Sequence, residues 1–171
     1  MDKTKKEKSS SAKPASPAGR ATAGKEEKTT YYEAVGRRKT STARARLYVV
    51  KEESMQLDGK EVKKGEIVVN SRPVENYFPG EVLKKMYTEP FRTTNTVGRF
   101  VVSLKTNGGG LYSQLGAVIH AVSRALVKVD AEKFRPILKK RGFMTRDPRA
   151  KERRKAGFAQ KARARKQSPK R

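Results

Sequence analysis

Apolar residues along this chain follow two periods. Tyr31–Val35 reads as a short strand that runs into Gly36–Thr42, a turn-like basic stretch expected to present Arg37, Arg38 and Lys39 from a loop. Strict alternation follows, with Ala43, Ala45, Leu47 and Val49 on one face and Arg44 and Arg46 on the other, which predicts a half-buried strand with a cationic outer face. Residues 51–66 are charged and read as a hairpin excursion turning at Asp58-Gly59. Ile67–Val69 is a further strand, stopped by Asn70-Ser71-Arg72-Pro73. Residues 74–88 suggest one or two short helices interrupted by Pro79-Gly80, and Phe100–Leu104 a strand entered through Gly98 and left at Asn107-Gly108. The period then changes. Leu111, Leu115, Val118, Ile119, Val122, Leu126 and Val129 form one stripe at three- and four-residue spacing, the strongest helix of the chain. Residues 131–140 read as another helix, ending at Gly142, where glycine makes a left-handed cap easy. Asp147-Pro148 fits an N-cap and first-turn pair, which predicts an almost purely basic helix up to Gly157.

Outside this stretch the pattern vanishes. Of the 32 Leu, Ile, Val and Phe residues, 31 lie between Val35 and Phe143. Residues 1–28 have none of them and no Tyr, and carry 8 Lys+Arg and 4 acids among Ser, Ala, Pro and Gly. Such a segment cannot bury enough apolar area to offset its ordering entropy, so disorder is expected. Residues 144–171 carry 12 Lys+Arg and 2 acids. The expected organisation is therefore a disordered basic extension (1–28), an α+β globular domain (29–143), and a basic helix with an extended RNA-threading tail (144–171).

Charge turns this layout into a functional expectation. The 171 residues hold 42 Lys+Arg against 17 Asp+Glu, a formal net charge of +25. An excess of that size points to a polyanion partner, nucleic acid first. No run of eighteen apolar residues exists, so no membrane partner is expected, and the first 28 residues lack a secretory apolar core. The absence of cysteine excludes disulfides, thiolate zinc sites and cysteine nucleophiles. The lone His120 sits beside the helical stripe and reads as structural; no catalytic set, metal or cofactor is expected.

Three stretches carry candidate chemistry. Arg37, Arg38, Lys39, Arg44 and Arg46 form a phosphate-contacting patch; a merely solvated face would not need so large an excess of one sign. Gly108-Gly109-Gly110 before a helix could offer a nest of backbone N–H groups to phosphate, although it matches neither the phosphate-loop nor the dinucleotide pattern, and a flexible turn explains it as well. Along the tail, Arg149, Arg153, Arg154, Lys155, Lys161, Arg163, Arg165, Lys166, Lys170 and Arg171 are spread too evenly for one groove, and the predominance of Arg favours bidentate phosphate contact.

Four blocks together resemble small-subunit ribosomal protein S9 of bacterial type. They are Gly36–Arg44; Val69–Pro73 with Tyr77-Phe78; Gly108–Gly110 through Ser113-Gln114 to Ser123–Leu126; and Thr145–Asp147 with Glu152–Lys155, Gly157 and Lys170-Arg171. The resemblance implies an α+β domain of the ribosomal-S5-domain-2-like kind, with no enzymatic activity. It implies binding of small-subunit ribosomal RNA in the subunit head, beside neighbouring head proteins. The RNA-binding role would fall on the patch, the glycines, Arg124, Arg146 and the tail through Lys166, and contact with the anticodon stem-loop of peptidyl-site tRNA on Lys170 and Arg171. Three departures stand out. The 51–64 excursion is long, Ile119 replaces a frequent arginine, and Ser168-Pro169 precedes the final Lys-Arg, where proline removes an N–H donor and fixes φ. A bacterial cytoplasmic ribosome is the default expectation, an organellar one the second choice. The rivals are an architectural nucleic-acid-condensing protein, which needs the charge but no particular loop sequence, and a nucleic-acid-modifying enzyme, which needs a clustered acid or nucleophile that the chain does not offer.

Overall fold

The computed structural model describes residues 30–50, 53–57 and 59–163. The disorder expected of residues 1–28 and the roles expected of Arg165, Lys166, Lys170 and Arg171 fall outside these residues.

Strands β1 (Tyr31–Arg38) and β2 (Ser41–Tyr48) form an antiparallel hairpin, with Arg38 opposite Ser41 and Tyr31 opposite Tyr48. The turn is only Lys39-Thr40, and Lys39 takes a left-handed φ of 51°. The basic stretch is therefore not a loop: Arg37 and Arg38 lie on β1, and of the three cations only Lys39 is in the turn. Six polar residues in a row look like a turn in sequence, yet cross-strand pairing with β2 carries the strand through them. The alternation on β2 holds for Ala43, Ala45 and Leu47, each 0% exposed, whereas Val49 lies past the strand end and is exposed.

After β2 come β3 (Ser54–Leu57) and β4 (Lys60–Lys63), the expected hairpin, then β5 (Ile67–Val69) and the two-residue β6 (Arg72–Pro73). Asn70 and Ser71 join the last two with φ of 47° and 62°, the double left-handed turn that asparagine tolerates. The helices α1 (Val74–Tyr77) and α2 (Glu81–Thr93) flank Pro79-Gly80 as predicted. α2 runs further than its sequence suggests, past Pro90, which is buried within it. Then follow β7 (Val101–Asn107), α3 (Leu111–Val129) and α4 (Ala131–Lys140).

The main sheet has the order β1-β2-β7-β5-β6, with β5 parallel to β7 and the other pairings antiparallel; β3-β4 is a separate ribbon. α3 packs on β1 and β2. Leu115, Val118, Val122 and Leu126 from its stripe meet Ala43, Ala45, Leu47, Val102 and Leu104 in the main core, joined by Phe78, Phe91, Phe134 and Leu138. The small residues let the helix come close. At Gly36 a Cβ would stand 2.2 Å from the Ala117 carbonyl oxygen and 2.3 Å from the Ala121 nitrogen. Across the sheet the β3-β4 ribbon covers a second, smaller core of Tyr48, Val62 and Val101.

α4 ends in a Schellman motif. Gly142 has a φ of 78° and its N–H donates to Lys139 at 3.0 Å, while the Phe143 N–H donates to Leu138 at 3.1 Å. Phe143 and Met144 then pack against the main core, which fixes where the chain leaves the domain. The basic helix expected after Pro148 is absent: residues 146–155 form neither helix nor strand. Arg149, Lys151, Arg153, Arg154 and Lys155 would sit on adjacent turns of such a helix with only Glu152 to offset them, and no apolar face would dock it.

Candidate nucleic-acid interface

The sequence blocks singled out above converge in space. The Ser41 hydroxyl donates to the Gly108 carbonyl and contacts the Ser113 Oγ, both at 2.9 Å. The Gly110 N–H donates to that same Ser113 oxygen at 3.0 Å. From the other side, Asn70 Nδ2 donates to the Thr106 carbonyl at 3.1 Å, and its Oδ1 accepts from the Thr106 N–H at 3.0 Å. The Tyr77 hydroxyl donates to Gln114 Oε1 at 2.8 Å, and Gln114 Nε2 donates to the Gly108 carbonyl at 3.1 Å. One polar web thus ties the β1-β2 turn, the β5-β6 turn, the end of β7 and the start of α3. Within it, glycine at 108 and 109 has a steric reason. Gly108 has φ +74° and a Cβ there would stand 2.7 Å from the Thr40 carbonyl; Gly109 has φ +64° and its Cβ would stand 2.1 Å from the Ser41 hydroxyl. All three glycines remain exposed at the surface, though the Gly110 N–H is already engaged.

The candidate cations separate into two groups. Several are committed to the protein itself. Arg38 Nη2 lies 3.3 Å from an Asp147 carboxylate oxygen and Nη1 donates to the Tyr112 carbonyl at 3.4 Å, while its Nε is buried with no hydrogen-bond partner among the described residues. Arg46 is bound to Glu33 at 2.7 Å and stacks 4.9 Å above the Tyr31 ring. The hydrogen bond it donates to Glu33 is the main reason its guanidinium is held even more firmly protonated than usual. Arg124 Nη1 donates to the Val35 carbonyl, and Arg149 grips Asp147 through Nε and Nη2, both at 2.9 Å. Arg163 pairs with Glu152. Hydrogen bonds from Arg149, reinforced by the charge of Arg38, hold the Asp147 carboxyl far below the ordinary carboxylate range.

The second group has no ion pair among the described residues: Arg37, Lys39, Arg44, Arg146, Arg153, Arg154, Lys155 and Lys161. All but the half-buried Arg44 are exposed. Lys105, exposed on β7 opposite Arg44, joins this group and is missing from the sequence-based set. Its signal was faint, a single lysine in an apolar strand, and only the pairing of β7 with β2 brings it to the patch.

His120 makes an internal contact beside the stripe. Its Nδ1 accepts the Arg37 N–H at 3.4 Å. Burial first, and then the charge of Arg124, push its pKa below the ordinary imidazole value. No group of three or more His, Cys, Asp or Glu side chains suited to a metal occurs among the described residues.

A surface that commits Glu33, Asp147 and Glu152 to internal struts and leaves several cations without an ion pair among the described residues suits a partner made of phosphates. The family comparison agrees: the model described as "Ribosomal protein S9/S16" matches residues 36–171. The chain belongs to the ribosomal protein S9/S16 family. Membership makes it a ribosomal protein, a constituent of the small subunit, in a family that is typically non-enzymatic. The match begins at Gly36 and takes in all four blocks, so the polar web described above is built from family positions. No helix among the described residues is long and apolar enough to cross a membrane.

Proposed function

We propose that this S9/S16-family chain binds small-subunit ribosomal RNA in the subunit head and directs its C-terminal tail to the anticodon stem-loop of the peptidyl-site tRNA. The globular part, of the ribosomal-S5-domain-2-like kind, docks on RNA through Arg37, Lys39, Arg44 and the glycine turn, beside neighbouring head proteins. Arg146, Arg153, Arg154, Lys155 and Lys161 continue the contact along the tail, followed by Arg163, Arg165 and Lys166. Lys170 and Arg171 touch the tRNA backbone. The setting is a bacterial cytoplasmic ribosome.

The observation that carries this reading is the tail itself. Arg153, Arg154 and Lys155 are exposed and without an ion pair among the described residues, on a segment with neither helix nor strand. Extended backbone with unneutralised guanidinium groups gains by releasing counterions from phosphates, a gain that a free tail in water cannot make. Arg38, Arg124 and Arg149, by contrast, serve RNA binding indirectly, by holding the frame.

Two measurements test the two halves. The chain is expected to co-sediment with small subunits through a high-salt wash. Removing Lys170 and Arg171 is expected to leave subunit assembly intact and to weaken tRNA retention in the peptidyl site. Unchanged retention by the truncated subunits would refute the tRNA assignment.

A further inference from the structure

β1 is an edge strand of the main sheet, so one side of its backbone has no partner strand among the described residues. Glu33, Val35 and Arg37 turn their backbone groups to that side, and all three meet α3 instead. The Glu33 carbonyl accepts from Lys128 Nζ at 2.7 Å, and the Val35 carbonyl accepts from Arg124 Nη1. The Arg37 N–H donates to His120 Nδ1 at 3.4 Å.

The match is one of pitch. Alternate residues of a strand recur about every 6.7 Å, and every fourth residue of a helix about every 6 Å. His120, Arg124 and Lys128 are spaced by four on α3 and meet Arg37, Val35 and Glu33, spaced by two and in reverse order. One row of the helix therefore lies antiparallel to the strand edge and in register with it. Arg124 and Lys128 are both exposed, and like charges four apart on a helix repel mildly. A helix face set for its own stability would alternate the signs.

An uncovered edge is a template for another strand. The strand that fits this edge best is β1 of a second copy. Antiparallel pairing centred on Val35 would place Glu33 of each copy opposite Arg37 of the other, and a two-fold axis would make the two halves of the contact identical. The N–H groups of Glu33 and Val35, which make no hydrogen bond among the described residues, would donate to the incoming strand. The two carbonyls it would need to accept its own N–H groups are those that Arg124 and Lys128 occupy.

We propose that His120, Arg124 and Lys128 stand in for a missing strand and keep the free chain monomeric by closing the β1 edge against a second copy of itself. This role belongs to the chain before it is assembled, and it holds whether or not the same residues ever meet RNA.

The test compares the full-length wild type with the double variant Arg124→Met, Lys128→Met. Methionine keeps an unbranched stem and good helix propensity while removing the donors. Sedimentation is read in about 0.5 M salt, which screens the repulsion between two chains of +25. The wild type should stay monomeric. The double variant should form concentration-dependent dimers, with the Glu33 and Val35 amides exchanging about tenfold more slowly than in the wild type. Adding Val35→Pro removes an outward N–H without costing a bond to β2, so it should restore the monomer. A double variant that stays monomeric, a dimer that Val35→Pro leaves intact, or a wild type that itself pairs through β1 would each overturn the proposal. The wild type carries a further check that needs no variant to fold: the Arg124 guanidinium should rotate slowly in nitrogen-15 spectra. Free rotation there would mean the edge is open, and would overturn the proposal as well.

Discussion

Arg38, at the end of β1, and Asp147, just beyond the globular domain, face each other at 3.3 Å with both side chains partly buried. Arg149 completes the clamp from the tail side. The start of the basic tail is thus pinned to the sheet by one of the two acids in residues 144–171. Because Asp147 is held ionised far below its usual range, the clamp resists acid. A carboxylate with a depressed folded pKa contributes above its unfolded value, near 3.8, and its contribution fades only as pH falls through the depressed one. Carbon-13 titration of the Asp147 carboxyl should therefore show no midpoint between pH 3 and 5. A midpoint near 3.8 would mean that the clamp is not formed in solution.

Gly116 gives a second handle on the same clamp. A Cβ at this position would lie 2.3 Å from Arg38 Cδ, the flexible part of a long side chain. Gly116→Ala should therefore change global stability by less than about 1 kcal/mol, since alanine's helix propensity offsets the displaced arginine. The cost should show in the tail: the amides of Thr145, Arg146, Asp147 and Arg149 should exchange faster. Unaltered exchange there would show that Arg38 does not tether Asp147.

Gly36 is the opposite case, because a Cβ there would meet the α3 backbone at Ala117 and Ala121, which cannot swing aside. β1 and α3 would have to separate along the most tightly packed seam of the domain. Gly36→Ala should destabilise by about 3 kcal/mol in denaturant unfolding, at the upper end of the usual cost of overpacking. A loss below 1 kcal/mol would mean the seam is looser than its geometry implies.

His120 introduces a pH dependence of known sign. Its folded pKa lies below the unfolded 6.5, so the unfolded chain binds the proton first. The stability it contributes is complete above pH 6.5 and is lost as pH falls from there toward the folded pKa. The groups acting on it are Arg124 on α3, the Arg37 and Met144 backbones, and Arg146. His120→Gln should flatten the dependence of unfolding free energy on pH just below 6.5. An identical slope in the variant would exclude His120 as its source.

Val62 tests whether the ribbon is a separate cooperative unit. It is 3% exposed and anchors the second core with Tyr48 and Val101. Val62→Ala should cost about 1–2 kcal/mol locally. Amide exchange in β3 and β4 should then accelerate about tenfold while α3 is unaffected. Equal acceleration in α3 would join the two cores into one unit.

Much of this was legible in the residues. Period-two alternation fixed the faces of β2, the apolar stripe fixed α3, and Gly142 and Pro79-Gly80 marked helix ends, because each signal is local. The misreadings share a cause as well. Arg37 and Arg38 resemble loop residues until pairing with β2 makes them strand, and Lys105 joins the cationic face only through a partner strand far away in sequence. The expected helix after Pro148 failed because capping residues cannot compensate for a surface of like charges with nothing to pack on. At Gly108 and Gly109 the sequence suggested phosphate, and the packing of Thr40 and Ser41 supplies a second, internal reason for glycine.

The seam between β1 and α3 also bears on how the chain is made. The first hairpin leaves the synthesising ribosome well before the helix that covers it, and at about 5–20 residues per second the interval is on the order of seconds. Throughout that wait Ala43, Ala45 and Leu47 have no lid. The domain therefore closes late, when its most apolar helix is complete, and a nascent chain stalled in the Gly108–Gly110 turn would hold a bare sheet face open to any passing apolar surface.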